Sequence, residues 1–569
     1  MSSNYEFFNK RRAGILLHPT SLPGTPGNGD LGEHAYRFVD FLANTGISLW
    51  QMLPLGPPHE DLSPYQCQSV HAANPLLISL DWLVVQDWLS QDSSPTSQSE
   101  LEYELNNLTK TGWLTEDPLE RELEQRMKQR GFHEFDILPC PPSENEAAIR
   151  YRHARLKEAR AGFEKNANKA DRIAFAEFLE TQSKWLEDYA LFRALQAEHH
   201  QTLKAECLKA FNDIQHHEAL QARLFELKNA AGWSGWPSDL RDRNPQALEA
   251  AQQRLKEVIE QHRFEQFVFF SQWQQLKEYA HEKGVLMFGD IPIFVAEDSV
   301  DVWANRENFL LDGNGRPTIV AGVPPDYFSA TGQRWGNPHY NWDYMQNDGF
   351  RWWQDRLKSA KLLFDVARID HFRGFEACWA IPSHCDTAVE GYWMQVPGHH
   401  LFETLQQSGI DLPLVAEDLG IITHEVTALR ERFGLPGMKI LQFAFDSGSD
   451  NPYLPHNHVG HGLVYTGTHD NNTTLGWFHE IPEHVRQYVC EYLHAPPHEM
   501  PWPLVEAAFK SGAAWAIVPM QDVLVLDGYH RMNTPGVATG NWRWRFDWSQ
   551  MPHGVEDKLR HFSHFYGRT

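Results

Sequence analysis

Apolar residues along this chain follow two patterns, divided at about residues 91 and 260. Outside that interval the apolar runs are short and end in polar, Gly-rich or Pro-rich stretches. Runs of this kind read as buried strands. Eight are predicted: Gly14–Leu17, Leu49–Leu53, Val285–Phe288, Phe364–Ile369, Leu414–Ala416, Lys439–Phe445, Leu463–Thr466 and Ala516–Val518. Helical spacing separates most of them. Eight strands alternating with helices predict a (β/α)8 barrel, although counting alone also permits a doubly wound open sheet.

Between 91 and 260 the pattern becomes helical. Ile173, Phe175, Phe178, Leu179, Leu186, Phe192 and Leu195 recur among charges at close to helical spacing over residues 171–198. Ser143 with Glu146 forms a capping-box signature before a charged helix expected to reach about Lys165. Helix is also expected from Arg241 to Ala280. The Ser-rich stretch Ser90–Ser99 reads as a flexible junction. The expected organisation is therefore a first barrel part at 1–90, a helical insertion at 91–260 between the second and third strands, and the rest of the barrel at 261–569. Ala296–Lys361 is long enough to add loops over the barrel mouth.

Composition sharpens this division. Within 91–260, 53 of 170 residues are charged, against 72 of the other 399. The whole chain has 569 residues and a formal charge of −25. That acidity argues against nucleic acid and against an anionic membrane surface, both of which require clustered Lys and Arg. No apolar run reaches 18 residues, so no transmembrane helix is expected. The first residues lack the apolar stretch of a secretory signal. The six cysteines form no CxxC pair and read as reduced thiols of a cytoplasmic protein. No Walker or GxGxxG pattern occurs in a strand–helix context, and no cofactor is expected. His456-Asn457-His458-Val459-Gly460-His461 reads as a polar loop rather than a metal site. The 21 Trp, 33 Phe and 17 Tyr fit either core packing or a lining of flat rings for an uncharged ligand such as a sugar.

The chemistry gathers at the predicted strand ends. The third strand ends in Gly289-Asp290-Ile291-Pro292. The fourth gives Arg368-Ile369-Asp370-His371, the fifth Ala416-Glu417-Asp418, and the seventh Thr468-His469-Asp470. A carboxylate after a strand is often only a helix N-cap. Four at one rim, beside Arg and His, suggest a site, because the C-terminal ends of barrel strands carry the active site. Glycoside chemistry needs two carboxylates, and about 5–5.5 Å between them gives retention through a covalent intermediate. Neighbouring strands lie about 4.7–4.9 Å apart, so Asp370 and Glu417 suit that spacing. Arg368 lies two residues before Asp370 on the same strand face and can hold it ionised as a nucleophile. Glu417 must keep a proton near neutral pH, which burial and a nearby carboxylate favour. Asp470 and His469 are then expected to grip sugar hydroxyls.

Motifs in order along the chain resemble the amylomaltases, the 4-α-glucanotransferases of glycoside hydrolase family 77. They include His18-Pro19-Thr20-Ser21-Leu22-Pro23-Gly24, Trp50-Gln51-Met52-Leu53-Pro54-Leu55-Gly56-Pro57 and Ser63-Pro64-Tyr65. Others are Gly289 to Val295, Gly322 to Ser329, Gly332 to Pro338, Arg531 to Gly536 and Gly540-Asn541-Trp542. The resemblance covers most of the chain outside 91–260. It implies a (β/α)8 barrel with Asp370 as nucleophile, Glu417 as general acid/base and Asp470 as transition-state stabiliser. Arg368 and His469 would contact the sugar at the cleavage point, Tyr65 would stack on it, and Asp290 and His371 would hydrogen-bond it. Ser63, Gln333, Trp335 and Asn337 would be acceptor-side or loop contacts. Phe443 would be an aromatic wall, with a barrel-core Phe as the alternative. The implied partners are malto-oligosaccharides, glucose and starch or glycogen chains. Hydrolysis by the same carboxylates, or a glucan-binding barrel without catalysis, are the alternatives. The helical insertion is longer than in compact members of the family. Donor length, the role of the insertion and oligomeric state stay open.

Overall fold

The computed structural model describes residues 7–569 except 25–26, 91–94, 96–97, 115–116, 133–142, 326–328 and 538. Twelve strands are present among them. They are β1 (Arg12–Leu16), β2 (Leu49–Gln51), β3 (Leu286–Ile291), β4 (Ile319–Val323), β5 (Gln333–Pro338) and β6 (Val366–Ile369). The others are β7 (Ala377–Pro382), β8 (Tyr392–Gln395), β9 (Leu414–Ala416), β10 (Gly437–Ile440), β11 (Gly462–Tyr465) and β12 (Trp515–Pro519). Eight run parallel in the order β10-β11-β12-β1-β2-β3-β6-β9. All eight overlap the predicted runs. They are short and apolar because both faces are covered. Leu49, Phe288, Val366, Met438, Leu463 and Trp515 fill the interior, while a second shell packs the outer faces against helices.

The ring closes between β9 and β10 through loops. Ala416 N–H donates to Pro436 O at 2.9 Å. The buried Asp418 carboxylate accepts Met438 N–H at 2.7 Å. Gly437 is needed here, since a Cβ on it would lie 2.3 Å from that carboxylate. The sixth predicted run was placed too late. The strand ends at Ile440, and Leu441–Phe443 turn away as a 3-10 helix over the barrel mouth.

The helical interval holds seven α-helices and one short 3-10 helix of its own among the described residues before the helix Lys256–Glu282. Residue 260 lies inside that helix, which carries the insertion directly into the barrel wall. The helix expected from Arg241 is broken instead. Asn244 caps a new helix at Pro245, accepting Gln246 and Ala247 N–H. Proline at the first helical turn lacks the N–H that would continue the preceding one. The charged helix runs Ser143–Asn166; the Ser143 side chain of the proposed capping box lies outside the described residues, as does most of the Ser90–Ser99 stretch. The 171–198 pattern belongs to a 45-residue helix, Lys169–Asp213. Leu186 to Leu195 pack on the barrel side, whereas Leu203 to Phe211 pack in a separate small core with Leu123, Met127 and Leu224.

A second sheet, antiparallel and in the order β5-β4-β7-β8, sits beyond the C-terminal strand ends. No helix among the described residues is long and apolar enough to cross a membrane.

The opposite end of the barrel is latched by Arg568. Its buried guanidinium donates to the carbonyls of Phe509, Ala514, Ala513, Ser511, Arg12 and Ala508 at 2.6–3.3 Å. Arg568→Ala removes these donors far from the chemistry, although Arg11 still reaches Phe509 O, Ser511 O and Ala513 O and Arg12 N–H still donates to Ala514 O. It is expected to cost about 1–3 kcal/mol of stability. Thermal unfolding checks this; an unchanged Tm would show that the latch contributes nothing.

Candidate active site

The β6–β9 register pairs Ile369 with Ala416. The next residues, Asp370 and Glu417, therefore leave adjacent strand ends side by side. Glu417 N–H donates to Ile369 O at 3.0 Å, and Phe372 N–H to Glu417 O at 3.1 Å. Between these contacts His371 takes a left-handed conformation, φ 52°. A β-carbon makes that conformation costly, so the surrounding bonds must hold it. Its effect is to turn His371 N–H onto Glu417 Oε2 at 2.8 Å. Leu419 N–H donates to Oε1 at 2.9 Å. Both oxygens are fixed in direction.

Burial, then the Asp370 charge, push Glu417 up to about 8, against the opposing pull of Arg368 and the two N–H donors. Asp370 is treated differently. Arg368 Nη2 lies 2.7 Å from its Oδ1. The same guanidinium donates through Nε and Nη2 to Asp290 Oδ2 at 3.0 and 2.8 Å. Tyr65 OH donates to that oxygen at 2.6 Å and accepts from Arg368 Nη2 at 3.1 Å. Burial raises the Asp290 carboxyl, while Arg368 and Tyr65 pull it back. A buried guanidinium thus serves two carboxylates, fixing its geometry by both. Asp290 is 3% exposed and lies beneath Tyr65 and Arg368, outside the cavity lining.

Asp470 reaches the site from the loop after β11. Its Oδ1 accepts Asn533 Nδ2 at 2.7 Å and lies 3.3 Å from His469 Nε2. His469 is stacked on Tyr65, with centroids 5.1 Å apart and planes at 16°, so the imidazole lies behind the tyrosine. The loop is held at both ends by one buried carboxylate. Asp522 accepts the hydroxyls of Thr466 and Thr474 at 2.6 Å each and Thr474 N–H at 2.8 Å. Asp522→Ala frees both ends. Misplacement of this order costs about 10- to 100-fold in kcat. The comparison of kcat with parent enzyme, at a temperature where both are folded, checks it; undiminished kcat would show that the loop needs no such anchor.

The carboxylates open into a cavity of about 1100 Å³. β5 contributes Gln333, Trp335 and Asn337 to one wall, with Ser63 and Tyr65 nearby. Trp335 meets His371 edge-on at 4.9 Å. Burial lowers His371 to about 4, so its ring is neutral at neutral pH. Gln66 Nε2 donates to Asn337 Oδ1 at 3.3 Å. Phe443 is 40% exposed on the facing wall, perpendicular to Tyr453 at 5.8 Å, and is not a core residue. Asn533, Tyr453, Trp542 and Ile421 also line the cavity and were not singled out from the sequence. Asn533 and Trp542 lay in quoted motifs whose roles only their distant contacts define. Tyr453 and Ile421 carried no local signal.

The three histidines of the 456–461 loop bind separate partners: Tyr492 OH and Ser449 O, Tyr453 O, and Gly434 O. No cluster of metal-ligating side chains occurs among the described residues. What the cavity offers is a carboxylate ion-paired to arginine beside a carboxyl that keeps its proton. That is the equipment for splitting an acetal between sugars.

Known proteins bear on this geometry. A family model described as 4-alpha-glucanotransferase matches residues 17–550. The 4-alpha-glucanotransferase of Thermus thermophilus is 44% identical over 94% of this chain and 94% of its own. That of Synechocystis sp. is 44% identical over 98% of each chain. The solved amylomaltase from Streptococcus agalactiae, in complex with acarbose, has a TM-score of 0.81 at 33% identity, covering 98% of this chain and 100% of that one. With a family match over nearly the whole barrel and relatives this similar at full length, the chain belongs to the 4-alpha-glucanotransferase family and is an enzyme of the glycosyl-transferring type.

Proposed function

We propose that the enzyme transfers α-1,4-glucan segments with retention, through a glycosyl ester on Asp370. The donor is a malto-oligosaccharide or the end of a starch or glycogen chain, and the acceptor is the 4-hydroxyl of another glucan or of glucose. Asp370 attacks the anomeric carbon as Glu417 passes its proton to the departing glycosidic oxygen. The shortened glucan leaves. Glu417, now ionised, takes the proton of the incoming 4-hydroxyl as that oxygen displaces Asp370. Asp470 binds hydroxyls of the sugar being transferred, and Tyr65 packs against its ring. The observation that carries this reading is the pair of adjacent carboxyls held in opposite electrostatic surroundings, Asp370 by Arg368 and Glu417 by burial. The cytoplasm is the proposed location, supported by five free cysteines among the described residues.

Incubation with maltotriose tests transfer. Longer oligosaccharides should form together with glucose, without net gain of reducing ends. Shorter products alone, with a matching rise in reducing ends, would mean that water is the acceptor and the enzyme a hydrolase. No change would mean a binding protein.

The pH profile follows from the raised Glu417 carboxyl. The acid form is needed for bond cleavage, so the rate of the first step should hold through neutrality and fall as pH rises through about 8. Single-turnover rates from pH 5 to 9 check this. A falling limb near 4.5 would show that Glu417 carries no such shift.

A further inference from the structure

β8 is the outer strand of the four-stranded sheet, and Trp393 on it is 40% exposed. Six other tryptophans, Trp515 and Trp273 among them, are fully buried. The Arg373 guanidinium carbon lies 3.9 Å from the centre of the Trp393 ring. Trp379 meets the same ring edge-on at 5.2 Å and 69°. Arg373 is only 9% exposed, so it lies on the inner face of the indole. The open face is therefore the outer one, and the ring is fixed from behind and from the side.

Arg373 also ties this ring to the cavity. Its Nη1 donates to Ile421 O at 3.2 Å. Ile421 is 67% exposed, and the run Leu419-Gly420-Ile421 lines the cavity directly after the Glu417 strand end. An apolar rim thus leads from the reacting carboxyl to the indole. Gln395 is exposed two residues along β8, on the same face as Trp393 because side chains alternate. A fixed flat ring with an amide beside it matches one ligand chemistry: the apolar face of a pyranose, with its hydroxyls within reach of the amide. The positive charge of Arg373 is turned inward, which suits an uncharged ligand.

We infer that Trp393 and Gln395 form an outlying binding surface for a long α-glucan chain where it crosses the rim at Ile421. This rests on the α-glucan reading of the cavity. A donor that ends inside the cavity gains nothing from the surface, whereas a chain long enough to cross the rim does.

The test compares maltotriose with a long linear amylose as donor, in the full-length enzyme. Trp393→Ala should raise KM for amylose about tenfold relative to KM for maltotriose, with kcat little changed. Trp393→Phe keeps a flat face over Arg373 and should restore most of the difference. Gln395→Ala, which leaves Arg373 covered, should raise the amylose KM by a smaller factor. Equal KM changes for both donors would overturn the inference, because the ring would then act only through Arg373 on the cavity. Unchanged KM values for both would overturn it too. Parent enzyme that gives no products from maltotriose would instead defeat the reading of the cavity itself, so the two failures are distinct.

Discussion

Asp370→Asn abolishes measurable transfer: a fall in kcat of about 10⁴-fold or more is expected. The amide cannot form the glycosyl ester, because its nitrogen lone pair is delocalised and it carries no negative charge. The substitution is nearly the same shape. Its oxygen still accepts from Arg368 Nη2, which lies 2.7 Å from the carboxylate in the parent. Arg368 also keeps Asp290 as a buried partner. The fold should therefore survive, with Tm close to that of the parent. Mass spectrometry after denaturing the parent enzyme during turnover should find a hexose-bearing peptide that includes Asp370, absent from the variant. Activity within tenfold of the parent, in a preparation free of reversion, would remove Asp370 from the nucleophile's role.

Glu417→Gln separates the two halves of the reaction. With natural glucans the loss should be about 10²- to 10⁴-fold, the usual worth of a positioned general acid. A donor such as α-glucosyl fluoride needs no protonation of its leaving group, so glycosyl-enzyme should still form. It should then persist, because the base for the acceptor is missing. Azide, which attacks without general-base help, should release it as a glycosyl azide. The alkaline limb near pH 8 should vanish. One structural cost is foreseeable. Both oxygens of Glu417 accept backbone N–H groups, from His371 and Leu419, and an amide can offer only one acceptor. Equal losses with glucan and fluoride donors would show that this disturbance, and not the missing proton, dominates. The raised carboxyl also links to stability. A protonated Glu417 favours the fold most below its unfolded value of about 4.5, and this contribution is lost as pH rises through about 8. The variant should lack that slope.

Much of the site was readable because Asp290, Arg368, Asp370 and Glu417 sit on barrel strands or directly after them. Asp370 directly follows β6, two residues after Arg368, which keeps the two on one face. Their contact at 2.7 Å follows from that period and little else. The pairing of Asp370 with Glu417 needed only adjacent parallel strands. The second sheet was not readable. Gln333–Pro338 contains Gly336 and Pro338, and Tyr392–Gln395 is four residues long. Such strands are stabilised by cross-strand neighbours rather than by local preference, so they leave no alternating pattern. The 45-residue helix was underestimated for a related reason. Its apolar positions serve two cores in succession, and the buried face changes along its length.

The sequence by itself determined the eight barrel strands, the helical interval and the identity of the carboxylates at the strand ends. Those features depend on periodicity, which acts over a few residues. Tertiary structure alone decided how each carboxylate is charged and aimed. Asp290 went under Arg368 and Tyr65, Glu417 was fixed by the left-handed turn at His371, and Asp470 was held by Asn533, 63 residues away. The indole of Trp393 was likewise set by Arg373 from another element. The reason is physical: desolvation and hydrogen bonding depend on every group within a few ångströms, and those groups come from segments that only folding brings together.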